Sequence, residues 1–478
     1  MKLNEIKLTN PYLELPDECH DRVKPAPLTD AFLIHANESV AEMLGIDKEE
    51  LQTEAFVDFV NGAYAPEGSD TFAMCYAGHQ FGFFVERLGD GRAINIGTLN
   101  GYHLQLKGAG QTKYSRSGDG RAVLRSSIRE YLMSEAMAGL GIETTRALAL
   151  IGSNHSVYRQ EWEKGAIVLR VSPSWVRFGT FEYFAHKKKY KELEALADYA
   201  IAESYPHLIE EENKYYYFFA EVVGKTARLM AEWQAVGFNH GVMNTDNMSI
   251  AGLTIDYGPY AFLDDYDFNY ICNHTDQYGR YSFGSQPNVG EWNLRALMVA
   301  LAPLVKTEEL QKIMGDYSKF YTEHYLRLMT QKLGFDTHSD EDLELIKHLL
   351  GVLQGLSVDY TLFFRTLSCY DRDRKEILKL GLYHTPMNDW LDDYDTRLEK
   401  NSSSMQERQD KMLQSNPKYV LKNYMLQEAI DAAEKGDYTL VDALFDIAHN
   451  PYDEHEKYER WAGATPGEFK NNKLSCSS

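Results

Sequence analysis

The stretch His240-Gly-Val-Met-Asn-Thr-Asp246-Asn247, followed by Ile255-Asp256-Tyr257-Gly258, decides how the rest of this chain is read. An acid stands directly beside an amide, and a second acid lies nine residues after that amide. In a loop–strand–turn setting, such hard oxygen donors grip a divalent cation of the Mg²⁺ or Mn²⁺ class, which in turn bridges phosphates. Asx residues also cap helices and close turns, so Asn247 and Asp256 gain meaning only beside a phosphate site. His240 alone reads as a structural histidine.

Such a site is suggested upstream. From Arg87 to Arg129 eight basic residues stand against only Asp90 and Asp119, a local charge of +6. The whole chain has 49 Lys and Arg against 71 Asp and Glu, for a net −22. Glycine is interleaved through the window, in Gly89-Asp-Gly91-Arg92, Gly108-Ala-Gly110 and Gly118-Asp119-Gly120-Arg121. Glycine lets backbone approach a ligand closely, and N–H groups with Arg or Lys side chains bind phosphate. A patch this basic in an acidic chain suggests a specific polyanion such as a nucleoside triphosphate. Solvated loop arginines and ordinary turn glycines remain the alternative, since no full phosphate-loop motif is present.

Elements can be placed around these motifs. Tyr102–Lys107 alternates apolar and polar residues as a half-buried strand does, and Ala166–Arg170 is a second β-type run. Ser126–Leu140 has helical periodicity, as do Phe181–Ala202, Tyr216–Val236, much of 308–380, and Lys418–Lys435. The Ser-rich run from Lys400 reads as a loop or linker, and Asn471–Ser478 as a mobile tail.

The order of the pieces carries more than any one of them. Basic glycine loop, strand Lys107, helix Glu130, helical lobe, His240 to Asn247, then Asp-Tyr-Gly is the order of a protein-kinase-like fold. The expected architecture is α+β and two-lobed. A strand-rich nucleotide-binding lobe covers 1–178, a larger helical catalytic lobe 179–399, and a helical extension with tail 400–478. Lys107 would hold phosphates while paired with Glu130, with Glu135 on the same helix as the competing partner. The position two after the His, where a kinase keeps its catalytic Asp, is Val242. A carboxylate stands instead at Asp246, so the chain is either a binding-only pseudokinase or runs a related reaction with Asp246 as base.

Composition excludes other classes. A −22 surface repels nucleic acid and anionic membranes, so neither is an expected partner. No window approaches ~18 apolar residues, and Met1–His20 has neither secretory nor transit character. Five scattered cysteines without a C-x-x-C pair rule out a disulfide scaffold or zinc ribbon, and a cytoplasmic enzyme is expected.

The chain resembles the selenoprotein O (YdiU-like) family of protein adenylyltransferases along its whole length. The runs that carry the resemblance include Met74–Gly82, Leu88–Arg92, Gln105–Gln111, Tyr114–Ala122, Ser127–Tyr131, His240–Met248, Asp256–Pro259 and Trp292–Leu297. Cys476 stands at the antepenultimate position, where eukaryotic members carry selenocysteine. The resemblance implies a kinase-like fold that binds ATP flipped, so that AMP moves to a Ser, Thr or Tyr hydroxyl of a protein and pyrophosphate leaves. Self-modification and UMP transfer from UTP are implied as well. By motif, Gly89, Gly91, Arg92, Lys107, Asp119, Gly120, Arg170, Arg177 and Asp256 would contact nucleotide. Asp246 would accept the proton, and Asn247 with Asp256 would hold Mg²⁺ or Mn²⁺. A phosphotransferase of the aminoglycoside-kinase kind and an inactive nucleotide-sensing scaffold are the competing readings.

Within that fold Cys272 lies 14 residues after Gly258, where a kinase carries its activation loop, and Cys476 lies on the tail. The two are expected to form a transient, redox-responsive disulfide that gates the site, against the plain reading of Cys272 as a small apolar filler.

Overall fold

A computed structural model describes residues 1–470. Strands concentrate before Pro173 and helices after Arg177, giving a mixed α+β chain. The strands are β1 (His20–Arg22), β2 (Phe32–Ala36), β3 (Phe72–Met74), β4 (Gly78–Gln80), β5 (Phe83–Val85), β6 (Ala93–Leu99), β7 (Tyr102–Lys107), β8 (Ala122–Val123), β9 (Arg146–Tyr158) and β10 (Trp162–Ser172). Seven of them form an antiparallel path β1-β3-β6-β7-β10-β9-β2, with β8 pairing beside β10. β4 and β5 make a separate hairpin.

The centre of this sheet is buried on both faces, which is why β9 and β10 read as unbroken apolar runs. Leu150 and Val168 pack on one side with Ile128 and Leu132 of helix α3 (Leu124–Gly139). Ile151, Ile167 and Leu169 pack on the other with residues of α1 (Glu38–Leu44) and α2 (Glu54–Val60). The period-two alternation thus divides one strand between two cores. Arg170 is fully inside β10 and buried, not at an exposed strand end.

Phe181–Ala202 is not one helix. It is split into α4 (Phe178–His186) and α5 (Tyr190–Ser204), and Lys188 at the break has φ 55°, a left-handed turn. Three consecutive lysines carry no helical stop signal, so periodicity alone ran through the corner. α6 (Lys214–Val236) crosses the helical core and ends at Gly237. The short pair β11 (Phe238–Asn239) and β12 (Ala261–Phe262) then brackets 240–260, and α7 (Gln286–Leu301) follows.

Helices α8 (Thr307–Gly315) and α9 (Tyr317–Lys332) pack near α6. α10 (Asp342–Leu356), α11 (Tyr360–Ser368), α12 (Lys375–Leu378) and α13 (His384–Leu398) surround Leu353, Phe363 and Trp390. The Ser-rich run from Lys400, expected as a loop or linker, is loop through Ser404 and then enters helix α14 (Met405–Ser415). Ser404 and Glu407 form a reciprocal capping box, and Arg408 is buried, donating to Tyr394 Oη at 3.1 Å. α15 (Asn423–Glu434) begins later than expected because the preceding chain runs extended, and Lys422 meets Asp359 in a buried ion pair. α15 and α16 (Thr439–His449) pack on α3, where His449 Nδ1 meets Glu135 Oε1 at 2.6 Å. Sandwiched between sheet and these helices, α3 is buried nearly all round. No helix of the described residues is long and apolar enough to cross a membrane.

Candidate functional site

Strand β7 delivers Lys107 and helix α3 delivers Glu130, and the two meet at 2.6 Å in the buried interior. Glu135 faces elsewhere. Five helical residues turn the chain by about 140° net, and Glu135 binds Arg146 at 2.8 Å and Asn37 at 2.7 Å. Burial pushes Lys107 down to about 8, although Glu130 opposes it. For Glu130 burial acts upward, and Lys107 with Arg170 outweighs it to hold the carboxyl below its ordinary value.

Two arginines continue this network. Arg170 Nη1 donates to Glu130 Oε1 at 2.9 Å and to Asp256 Oδ1 at 2.7 Å, and Nη2 reaches Gln105. Its guanidinium lies 4.5 Å from the Trp175 ring. Arg177, the residue before α4, binds Asp256 Oδ2 and the main-chain oxygen of Asp246, the latter at 2.6 Å. Asp256 takes the left-handed φ of 59° that lets one carboxylate face both arginines. Burial works against its charge, but Arg177, Arg170 and Lys107 hold it well below the usual carboxylate range. The Nε atoms of Arg170 and Arg177 are buried without a hydrogen-bond partner.

Asp246 stands in the 3₁₀ turn Thr245–Asn247. Gln80 Nε2 donates to its Oδ2 at 3.2 Å, while Oδ1 is buried and unpartnered. Burial raises this carboxyl to about 6, against the pull of Arg177 and Gln80. Val242, two residues after His240, also borders the cavity. His240 is structural: it is buried, stacks on Trp233 and uses Nε2 on the Ile255 carbonyl at 2.9 Å.

The glycine loops close the opposite wall. Gly89 has φ +130°, and a Cβ there would lie 2.4 Å from the ring of Tyr114, which covers it. Thr112 Oγ1 donates to the Asp90 carbonyl at 2.6 Å and Ser115 Oγ to the Gly91 carbonyl, stitching the second loop to the first. Gly120 has φ +69°, and a Cβ there would stand 2.0 Å from the Gly110 oxygen. Asp119 receives both Nη atoms of Arg159, at 2.8 and 3.0 Å.

Gly89, Gly91, Arg92, Lys107, Asp119, Gly120, Arg170, Arg177, Asp246, Asn247 and Asp256 all line one cavity of about 680 Å³. Arg116, Arg121 and Arg159 line it too. The basic window is only partly spent there, since Arg125 pairs with Glu163 and Lys113 with Asp21. Gln80, Asp90, Tyr114 and Arg159 are additional neighbours. Asp90 is buried under Met74 N–H, Asn95 and Gln105, and Gln105 joins it to Arg170.

For a cation, Asn247 has its amide nitrogen spent on the Val242 carbonyl at 2.9 Å, so the amide oxygen is the end a metal would meet. Asp256 keeps lone pairs beyond its two guanidinium bonds, and Asp246 Oδ1 is a further hard oxygen. Among the described residues no three His, Cys, Asp or Glu side chains form a ready-made metal cluster. The donor set therefore suits a hard cation that arrives with phosphate ligands of its own.

Comparison with known proteins gives this cavity its context. A family model described as Protein adenylyltransferase SelO matches residues 2–448. The chain belongs to the SelO family. Over 100% of its length it is 45% identical to the Protein nucleotidyltransferase YdiU of Myxococcus xanthus (strain DK1622), covering 99% of that protein. It is 44% identical to the proteins of the same name from Herminiimonas arsenicoxydans and Aliivibrio salmonicida (strain LFI1238), covering 98% and 99% of them. SelO-family membership makes the chain an enzyme of nucleotidyl transfer to proteins, with a nucleotide such as ATP as co-substrate.

In this SelO-family chain Cys272 is fully buried. Its Sγ lies 2.6 Å from the Pro259 carbonyl and 3.0 Å from Asn239 Oδ1, packed beneath the loop that carries Asp256. The partner expected for it, Cys476, lies outside the described residues.

Proposed function

We propose that the chain transfers AMP from ATP, with UMP from UTP as the parallel reaction, to Ser, Thr or Tyr hydroxyls of proteins, its own surface included. In this reading residues 1–178 and 179–399 are the lobes of a kinase-like fold, extended by 400–478, and the nucleotide lies flipped with its α-phosphate toward Asp246. The acceptor oxygen bonds to the α-phosphorus, the bond from that phosphorus to the β-phosphate oxygen breaks, and pyrophosphate leaves with the electron pair. The acceptor proton passes to Asp246 Oδ1. Lys107, Arg92, Arg170 and Arg177 face the charge that develops on the leaving group, where fixed donors in a dry site are most effective. Gly89, Gly91, Asp119 and Gly120 shape the loops around the phosphates. Asn247 and Asp256 would hold Mg²⁺ or Mn²⁺, which neutralises phosphate charge when bound.

One observation carries this reading. Asp246 lines the cavity that holds Lys107, Arg170 and Arg177, and its Oδ1 is buried without a hydrogen-bond partner. Orphaned buried acceptors are costly, and a hydroxyl donor is what this one lacks. With Val242 in place of a kinase acid, γ-phosphoryl transfer has no base at its usual position. Asp246→Asn should abolish transfer and leave ATP binding, followed by calorimetry, intact. Retained transfer would remove Asp246 from its role.

A further inference from the structure

Beside the nucleotide cavity lies a groove of about 650 Å³ walled by Phe81, Phe83, Tyr278, Arg280, Val289 and Trp292. The β4–β5 hairpin divides the two. Gln80 lines the nucleotide cavity and touches Asp246, whereas Phe81, at a left-handed φ of 50°, lines the groove. Phe81 N–H also lies 3.3 Å from Asn244 Oδ1, two residues before Asp246, so the edge of the groove abuts the segment that carries the base. The seam is fixed by hydrogen bonds: Phe81 N–H donates to Tyr281 Oη at 2.8 Å, and that hydroxyl donates to Asn244 Oδ1 at 2.7 Å.

The groove has its own chemistry. Its rim exposes large rings, with Phe83 78% and Tyr278 98% accessible. Arg280 lies among them, its guanidinium 4.6 Å from the Trp292 ring and 5.8 Å from that of Tyr281. Among the described residues no carboxylate pairs with Arg280. Asp276 close by is occupied by the N–H groups of Arg280 and Tyr281, at 3.0 and 2.7 Å. In a chain of net charge −22, a cation left without a paired acid in a groove of aromatic rings is complementary to an acid from outside.

We propose that this groove receives the acceptor segment of the protein substrate. The segment is extended, carries a carboxylate within a few residues of the acceptor hydroxyl to meet Arg280, and lays apolar side chains on Phe83 and Trp292. An extended chain advances about 3.3 Å per residue, so a groove whose edge, Phe81, adjoins the Gln80 that touches Asp246 is reached within a few positions of the hydroxyl. The proposal rests on nucleotidyl transfer to protein hydroxyls as described above.

The test uses the full chain, α-labelled ATP, and a peptide pool with a central Tyr, Ser or Thr and randomised flanks. The wild type should label peptides enriched in Asp or Glu at one or two fixed positions. Arg280→Glu should move that preference to Lys or Arg by about tenfold, with ATP binding kept. Phe83→Ala, at an exposed tip that the fold does not need, should raise KM for the selected peptide and leave kcat. No acidic preference, a preference that Arg280→Glu leaves in place, or no labelled peptide at all would overturn the groove. So would a dimer of the wild type that Phe83→Ala dissolves, since the face would then belong to a second copy. Label from γ- but not α-labelled ATP would instead overturn nucleotidyl transfer itself.

Discussion

Arg177 Nη1 bonds to the main-chain oxygen of Asp246 at 2.6 Å while the same guanidinium holds the Asp256 carboxylate. One side chain therefore fixes both the backbone of Asp246 and the carboxylate of Asp256. Arg170 repeats the arrangement toward Glu130, so Lys107, Glu130, Arg170, Asp256 and Arg177 form one continuous chain of charge, joined to the Asp246 main chain through Arg177. Each break in it has a distinct expected consequence.

Asp246 is costly to keep charged. Its folded-state pKa of about 6 lies above the ordinary 3.8, so the folded chain binds this proton more tightly than the unfolded chain does. Stability falls as pH rises from about 4 to 6 and stays lower above that window. Asp246→Asn should gain up to about 3 kcal/mol at pH 8 and show no such gain at pH 3.5, in denaturant titrations at the two pH values. Transfer by the wild type should rise through pH 6 as the base loses its proton. A flat profile between pH 5 and 7 would contradict this.

Lys107 makes ATP binding take up protons. With its pKa down near 8, the ammonium is partly deprotonated at pH 8.5, and incoming phosphates draw the proton back. Calorimetry at pH 8.5 in two buffers of different ionisation enthalpy should give proton uptake, which disappears in Lys107→Met and shrinks at pH 6.5.

Removing Asp256 leaves two buried guanidinium groups without their shared counter-charge. Asp256→Ala should cost about 3–5 kcal/mol by the usual penalty for breaking a buried ion pair. Asp256→Asn keeps a residue tolerant of the left-handed φ and should cost less. Thermal melts of the two variants separate charge from backbone. Equal losses would show that the charge, not the left-handed backbone, is what Asp256 supplies.

Gly120 tests the loop wall. Ala at this φ of +69° would put its Cβ 2.0 Å from the Gly110 oxygen, so the loop must shift. Gly120→Ala should weaken ATP binding at least about tenfold. Gly101→Ala has a similar φ of +82° but open space around it. It should lose about 1 kcal/mol of stability and no ATP affinity.

Much of the site was legible because its signals are local. Lys107 closes an alternating strand, Glu130 falls on a periodic helix, and the Asp246–Asn247 and Asp256 runs are contiguous. The pairing of Lys107 with Glu130 was expected from the order of strand and helix and is found, while helix rotation sends the competing Glu135 to Arg146. Gln80 and Arg280 left no signal, because their meaning comes from contacts with residues far along the chain. Asp90 hid in a Gly-Asp-Gly turn, and Arg159 looked like any hairpin cation. The capping box at Ser404 was readable and was outweighed by serine content, whereas the corner at Lys188 depends on tertiary packing.

The most direct test of the account supplies the purified chain with Mg²⁺ or Mn²⁺ and ATP labelled at the α- or the γ-phosphate. The account predicts protein-bound label from α-ATP alone, lost in Asp246→Asn. Label from γ-ATP alone would contradict it, making the chain a phosphotransferase whose base is not Asp246 in the role described.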